Sequence, residues 1–201
     1  MSTYTDKEFE KAKILGGVGV ILTLLGLVPK VGLALNVIGL ILILVSLKMF
    51  SDYYRNEDIF RYALIAVIIG IIGGVVLAAG AVSLGLKLAL FKPTPPVTLK
   101  HLTLPLIGLA IAVWILAIMS TYFFKRSYDL LGEHTGEKMF KTAALLLFIG
   151  AILTIIVVGA FISLVADILL AVAFFTVKPK APSPKAVAVA PPPPPPPPPP
   201  A

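Results

Sequence analysis

Hydrophobicity along the chain comes in four long blocks. Ile14–Leu47, Tyr62–Phe91, Leu102–Phe124 and Thr142–Val177 are almost wholly apolar, and the polar stretches Lys48–Arg61, Lys92–His101 and Lys125–Lys141 separate them. A membrane span needs about 20 apolar residues. The first block has 34 residues and the last 36, too long for one span and about right for two short ones. Pro29-Lys30 stands near the middle of the first block, where proline removes a helix donor and crowds the preceding turn. Gly159 stands near the middle of the last. The block at Tyr62–Phe91 predicts one helix of about 30 residues, roughly 45 Å long. That exceeds the hydrocarbon core, so this helix tilts or protrudes, with Lys87 snorkelling to the far interface. Leu102–Phe124 predicts one span, with Pro105 in its first turn, where proline is tolerated.

The pattern therefore predicts an all-α protein, a polytopic transmembrane helix bundle of about six spans arranged as three hairpins. The spans run about 14–28, 31–49, 62–86, 102–124, 142–158 and 160–177 within a helical domain of residues 14–177. Residues 1–13 form a charged, helix-compatible N-terminal segment, and 178–201 a Pro-rich tail. Re-entrant end blocks, giving four spans, are the alternative. The polar stretches read as loops: Pro93, Pro95 and Pro96 forbid regular helix between the third and fourth spans, and Met49, Phe50, Tyr53 and Tyr54 suit an interfacial aromatic belt. The tail ends in ten prolines, Pro191–Pro200, a disordered spacer or a stiff polyproline rod of roughly 31 Å. Such a rod suits an aromatic-lined groove on a cytoplasmic protein partner.

One spacing recurs at the head of each hairpin. An acid is followed by Phe three residues on, Ala three after that and Gly seven further: Asp6, Phe9, Ala12, Gly19; Glu57, Phe60, Ala63, Gly70; Glu137, Phe140, Ala143, Gly150. The repeat is parallel, and its first and third copies match best, Gly19–Thr23 aligning with Gly150–Thr154. Each acid suits the positive end of a helix dipole, and each Phe an interface anchor. By the same offset Asn36 corresponds to Asp167, at similar depth.

Composition narrows the class. The chain has 201 residues, 58% hydrophobic, 13% charged, with mean hydropathy +1.00. It has no cysteine, which excludes disulfides and thiolate chemistry. The net charge of +7 suits positive-inside loops, so no nucleic-acid partner is expected. With three hairpins, the termini side holds Lys7, Lys11, Lys13, Lys48, Arg55, Arg61, Lys125, Arg126, Lys138, Lys141, Lys178, Lys180 and Lys185, and the other side Lys30, Lys87, Lys92 and Lys100. Thirteen against four assigns both termini to the cytoplasm. The N-terminus lacks a basic region followed by a small-residue cleavage site, so the first span stays in the mature protein.

Candidate chemistry is sparse. Asp167 is the carboxylate inside an apolar run, and such a residue is by default a functional candidate. Ser163 and Ala171 share its helix face, which points into the bundle, where Asn36 is placed to hydrogen-bond to it. The two readings are a proton or cation site on a transport path, and interhelical glue. Ala66, Gly70, Gly74 and Ala78 recur every four residues and predict a packing ridge on a central third span. Enzyme signals are poor: His101 and His134 fall on opposite sides, and GAVSLG around Ser83 misses the nucleophile elbow. Glu133, His134 and Glu137 lie close together in a polar stretch and read as solvated, and no cofactor or metal is expected.

The run FFKRSYDLLGEHTGEKMFKTAALLLFIGAILTII, together with KILGGVGVILTLLGLVP near the start, resembles an archaeal family of multi-pass membrane proteins known only as a domain of unknown function. The resemblance covers about residues 10–178 and leaves the Pro tail outside. It implies an archaeal cell membrane and brings no activity or site residue. The expectation is a non-enzymatic structural or interaction protein of the cell membrane, in contact with the bilayer and its anionic head groups and open to homo-oligomerisation. The alternative is a small transporter or channel using Asp167 and Asn36.

Overall fold

The computed structural model describes residues 6–26, 28, 30–90, 97–156 and 158–180, the side chains of 6, 87, 88, 90 and 97–102 excepted. Six helices follow in order: α1 Asp6–Leu25, α2 Gly32–Tyr54, α3 Glu57–Leu90, α4 Val97–Thr135, α5 Lys138–Leu153 and α6 Val158–Thr176, with a 3-10 turn at Thr154–Ile156. There is no strand among the described residues. Helices α2 to α6 are long and apolar enough to cross a membrane. In α1 the first eight residues, DKEFEKAK, hold six charges, so its apolar part starts only at Ile14. The all-α bundle of three hairpins is the observed architecture: α1 packs along α2, α3 along α4 and α5 along α6. Across hairpins, α4 packs on α5 and α1 on α6, with a smaller contact between α2 and α3.

The polar stretches are mostly helix rather than loop, and the helices are longer than the apolar runs. Between α2 and α3 the break is two residues. Arg55 takes a left-handed backbone (φ 52°), and the Asn56 side chain accepts the amide of Asp58 at 3.0 Å, capping the next helix. Between α4 and α5, Gly136 takes φ 76°, and Glu137 caps α5 by accepting the Met139 amide at 3.3 Å. These local caps end and restart helices without any need for a long connection. The Pro-rich connection is also shorter than expected, since helix resumes at Val97, and Pro105 therefore lies inside α4 instead of in its first turn. Residues 91–96 and the Pro191–Pro200 tract fall outside the described residues.

Aromatic side chains gather at one end of the bundle. Phe174 near the end of α6 meets Phe140 of α5 (ring centroids 5.0 Å apart), Phe50 of α2 (6.2 Å) and Tyr128 of α4 (6.3 Å), and Phe50 meets Phe9 of α1 (5.3 Å). These rings stand at the starts of α1 and α5 and the ends of α2, α4 and α6, so the first and last described helices begin and end on the same side. Buried serines tie the pairs together: Ser46 donates to the Ala12 carbonyl (2.6 Å), Ser127 to Ile59 (2.7 Å) and Ser120 to Ala66 (2.8 Å). Two expectations change here. Phe50 and Tyr54 are buried core, with Met49 and Tyr53 packed on it, and do not form a lipid-facing belt. Phe9 and Phe140 are core too and not interface anchors, whereas Phe60 is only half-buried, with the Lys48 ammonium 5.6 Å from its ring. Six helix ends converging on one point leave their inward aromatics no lipid to face.

The third helix is at the edge of the bundle, not its centre, and its small-residue ridge holds only in part. Ala66 is fully buried and Gly70 faces Ser120, but Gly74 and Ala78 are exposed. The contact with α4 continues instead through Gly73, against Leu116, and Gly80, against Leu109. The reason is rotational. At 3.6 residues per turn each four-residue step drifts about 40° around the helix, so three such steps leave the face, while alternating steps of four and three stay on it.

Candidate functional site

The hairpins close tightly through glycines. A Cβ on Gly19 would sit 2.8 Å from the Gly39 carbonyl oxygen and 3.0 Å from the Ile43 amide nitrogen. In the third hairpin a Cβ on Gly150 would sit 3.0 Å from both the Gly159 carbonyl oxygen and the Ser163 amide nitrogen. The same glycine of the repeated spacing thus makes the same contact in both hairpins. The facing residues are Gly39 and Ile43 in one, Gly159 and Ser163 in the other. The partner arms are out of register by 11 residues relative to the sequence repeat, because the first arm of the third hairpin ends at Leu153, earlier in the repeat than Leu25 at the end of α1, and its second arm starts at Val158, earlier than Gly32 at the start of α2.

Asn36 is therefore not the structural counterpart of Asp167. Counting eight residues on from each facing glycine, Asp167 corresponds to Leu47. Nor are the two polar residues at one depth. Asp167 precedes the buried Phe174 by seven residues, and Asn36 precedes Phe50 by fourteen. At 1.5 Å per residue Asn36 stands about 10 Å further from the aromatic end.

Beyond the aromatic cluster the bundle leaves a half-open cavity of about 580 Å³ with walls from α1, α2, α4, α5 and α6. Asp167, Ser163 and Asn36 all line it. The structure thus brings the three sequence candidates to one cavity, without a hydrogen bond between Asn36 and Asp167. Among the described residues, no hydrogen bond or ion pair engages the side chain of Asp167, Asn36 or Ser163. Ser163 sits against Gly150, and Asn36 against Gly26. Sequence reading missed the rest of the polar lining, namely Thr23, Ser120, Thr121, Tyr128 and Thr154. Their signal was weak: four are single hydroxyls inside apolar runs, common in membrane helices as backbone-bonded groups, and Tyr128 lies in a polar stretch that reads as loop.

The remaining candidates have structural work elsewhere. The His134 Nε2 and Asn56 Nδ2 atoms lie 2.8 Å apart, and the imidazole stacks on Tyr54 at 5.4 Å, so one residue ties together the two helix breaks. Lys141 donates to Glu133 at 3.1 Å, and Glu137 caps α5. Ser83 donates to the Gly80 carbonyl at 2.9 Å. Trp114 donates its indole N–H to the Ala151 carbonyl at 3.0 Å, joining α4 to α5 beside the cavity wall.

A family described as Protein of unknown function (DUF996) matches residues 35–168, a stretch that includes both Asn36 and Asp167. The chain is similar to a protein of Methanocaldococcus jannaschii named Uncharacterized protein MJ1644. The two are 34% identical over 170 residues, which cover 85% of this chain and 93% of the relative. No solved structure matches the chain.

Proposed function

The chain belongs to the DUF996 family of proteins of unknown function, and we propose that it is a multi-pass cell-membrane protein whose Asp167 cavity binds a proton or a monovalent cation on a transport path. The observation that carries this reading is the state of Asp167. Its carboxylate lines a cavity of about 580 Å³ between apolar helices, beside the Tyr128 phenol, and makes no hydrogen bond or ion pair among the described residues. A carboxylate that served as interhelical glue would be hydrogen-bonded to a neighbouring helix, because an unpaired buried charge costs several kcal/mol, on the order of what breaking a buried pair costs. A carboxylate kept for exchange with a mobile partner is left open. The thirteen-to-four distribution of basic residues supports cytoplasmic termini. In that orientation the aromatic cluster closes the cytoplasmic end, and the cavity lies beyond it.

The test is flux. Purified protein in liposomes, with a trapped pH indicator and an imposed monovalent-cation gradient, is compared with Asp167→Asn. Wild-type protein is expected to pass protons or cations at least about tenfold faster than the variant, the scale of removing one charge-assisted interaction. Equal rates, or no flux from folded wild-type protein, remove the transport reading.

A further inference from the structure

The cavity wall is rich in hydrogen-bond acceptors. Thr23 donates its hydroxyl proton to the Val20 carbonyl at 2.7 Å, Ser120 to Ala66 at 2.8 Å, Thr121 to Ala117 at 2.7 Å and Thr154 to Gly150 at 2.7 Å. A hydroxyl has one proton and two lone pairs, so each of these groups, with its proton already engaged, faces the cavity only as an acceptor. The ionised carboxylate of Asp167 is an acceptor as well. Ser163, Tyr128 and Asn36 also line the cavity and can donate as well as accept, so it is the lone carboxylate that selects a positively charged guest, and the four engaged hydroxyls give that guest acceptors to donate to.

Charge and size narrow the guest further. Among the described residues Asp167 is the one acidic side chain lining the cavity, so it balances a single positive charge. A divalent ion needs an octahedral or larger shell of oxygen ligands, usually with several carboxylates. No group of three or more His, Cys, Asp or Glu is placed to hold a metal among the described residues. The volume, about 580 Å³, falls inside the range of roughly 300–1,000 Å³ typical of small-molecule sites. A proton or a bare alkali ion would leave most of it to apolar wall such as Leu40, Ile43 and Phe124. Phe124 and Phe161 add aromatic surface to the lining.

Resting on the transport reading above, we infer that the cavity takes a monovalent organic ammonium, primary or secondary, with an apolar body about the size of one or two rings. The ammonium pairs with Asp167 and donates to the hydroxyl oxygens, and the apolar body lies against the aliphatic and aromatic wall.

The experiment is calorimetric titration of the full chain in lipid nanodiscs with 2-phenylethylammonium and its neutral analogue 2-phenylethanol. The ammonium is expected to bind, with the alcohol at least about tenfold weaker. Asp167→Asn should weaken the ammonium by roughly 10–100-fold, the scale of one hydrogen bond to a charged group, and leave the alcohol unchanged. The comparison of the two compounds on wild-type protein stands even if the variant folds poorly. Equal binding of ammonium and alcohol, absence of ammonium binding, or ammonium binding that survives Asp167→Asn in a folded variant overturns the inference. The flux assay separates the two proposals. Asp167-dependent proton flux without ammonium binding removes only the guest class, and Asp167-dependent ammonium binding without flux removes only the transport step.

Discussion

Two glycines in apolar helices, Gly39 and Gly74, should respond to alanine with opposite signs. A Cβ on Gly39 would lie 2.6 Å from the Gly19 carbonyl oxygen and 2.8 Å from the Thr23 amide nitrogen. Both are backbone atoms on the facing helix and cannot swing aside. To restore an ordinary contact of 3.4 Å, α1 and α2 must part by about 0.8 Å. A gap of ~0.5–1 Å forfeits a quarter to a half of the dispersion energy of the atoms it separates. In lipid, where no hydrophobic force pushes helices together, that packing is the main attraction. Overpacking of this kind costs about 1–3 kcal/mol. For a chain of this size that lowers Tm by roughly 2–10 °C. A Cβ on Gly74 meets nothing within 4 Å. Alanine there loses no packing, and the intrinsic helix preference of alanine over glycine is worth up to ~1 kcal/mol. Thermal unfolding in detergent, followed by the fluorescence of the single tryptophan Trp114, distinguishes the two. A Gly39→Ala Tm equal to wild type, or a Gly74→Ala loss as large as that of Gly39→Ala, would refute the helix contacts described above.

Three further outcomes are expected. Phe174→Ala should destabilise by about 3–5 kcal/mol, because it empties the centre of the aromatic cluster, and the same thermal scan reads it. Asn56→Ala and His134→Ala should each destabilise, by about 1–2 kcal/mol, since Asn56 also caps α3 and His134 also stacks on Tyr54, and the double variant should cost about 1 kcal/mol less than their sum, the shared contact that a double-mutant cycle measures. Glu57→Cys and Glu137→Cys should react with a membrane-impermeant maleimide only after the membrane is opened; labelling of intact cells at either position would reverse the proposed orientation.

The broad architecture was legible because its signals are strong. Apolar block length predicts helix number, and Pro29-Lys30 predicts the first turn. For two copies of the repeated spacing the acid does open a helix, since Glu57 begins α3 and Glu137 caps α5, while the residues before Asp6 lie outside the described ones. Hydropathy could not show where helices end inside polar sequence, because α4 runs on through Lys125–Thr135 by burying Ser127, Tyr128 and Leu131 against neighbouring helices. Nor could it separate lipid-facing from core aromatics, since Phe50 and Phe60 look alike in a list of residues. The site was half legible. A carboxylate in an apolar run announces itself, but which hydroxyls stand beside Asp167 depends on a register that composition does not encode.

That register also explains how a cavity arises from a repeat that packs so similarly in its first arms. The partner arms differ by 11 residues, and at 3.6 residues per turn this is close to three full turns. The shift moves residues along the helix axis while keeping the inward face inward. It puts Asp167 where the first hairpin has Leu47, a residue that is fully buried and packed in the core. The site can thus be read as a packing position converted to a binding position, which makes a definite prediction for the reverse change. Asp167→Leu should fold, because the equivalent leucine already fits this kind of hairpin. It should be as stable as wild type or more so, since the change removes an unpaired, poorly solvated charge and the larger leucine has the adjoining cavity to fill. It should also lose ammonium binding and flux together. A Tm above wild type with no binding would show that the carboxylate is kept at the expense of stability and for a ligand. A Leu variant that unfolds would show that Asp167 holds the bundle together, and the cavity would then be packing space and not a site.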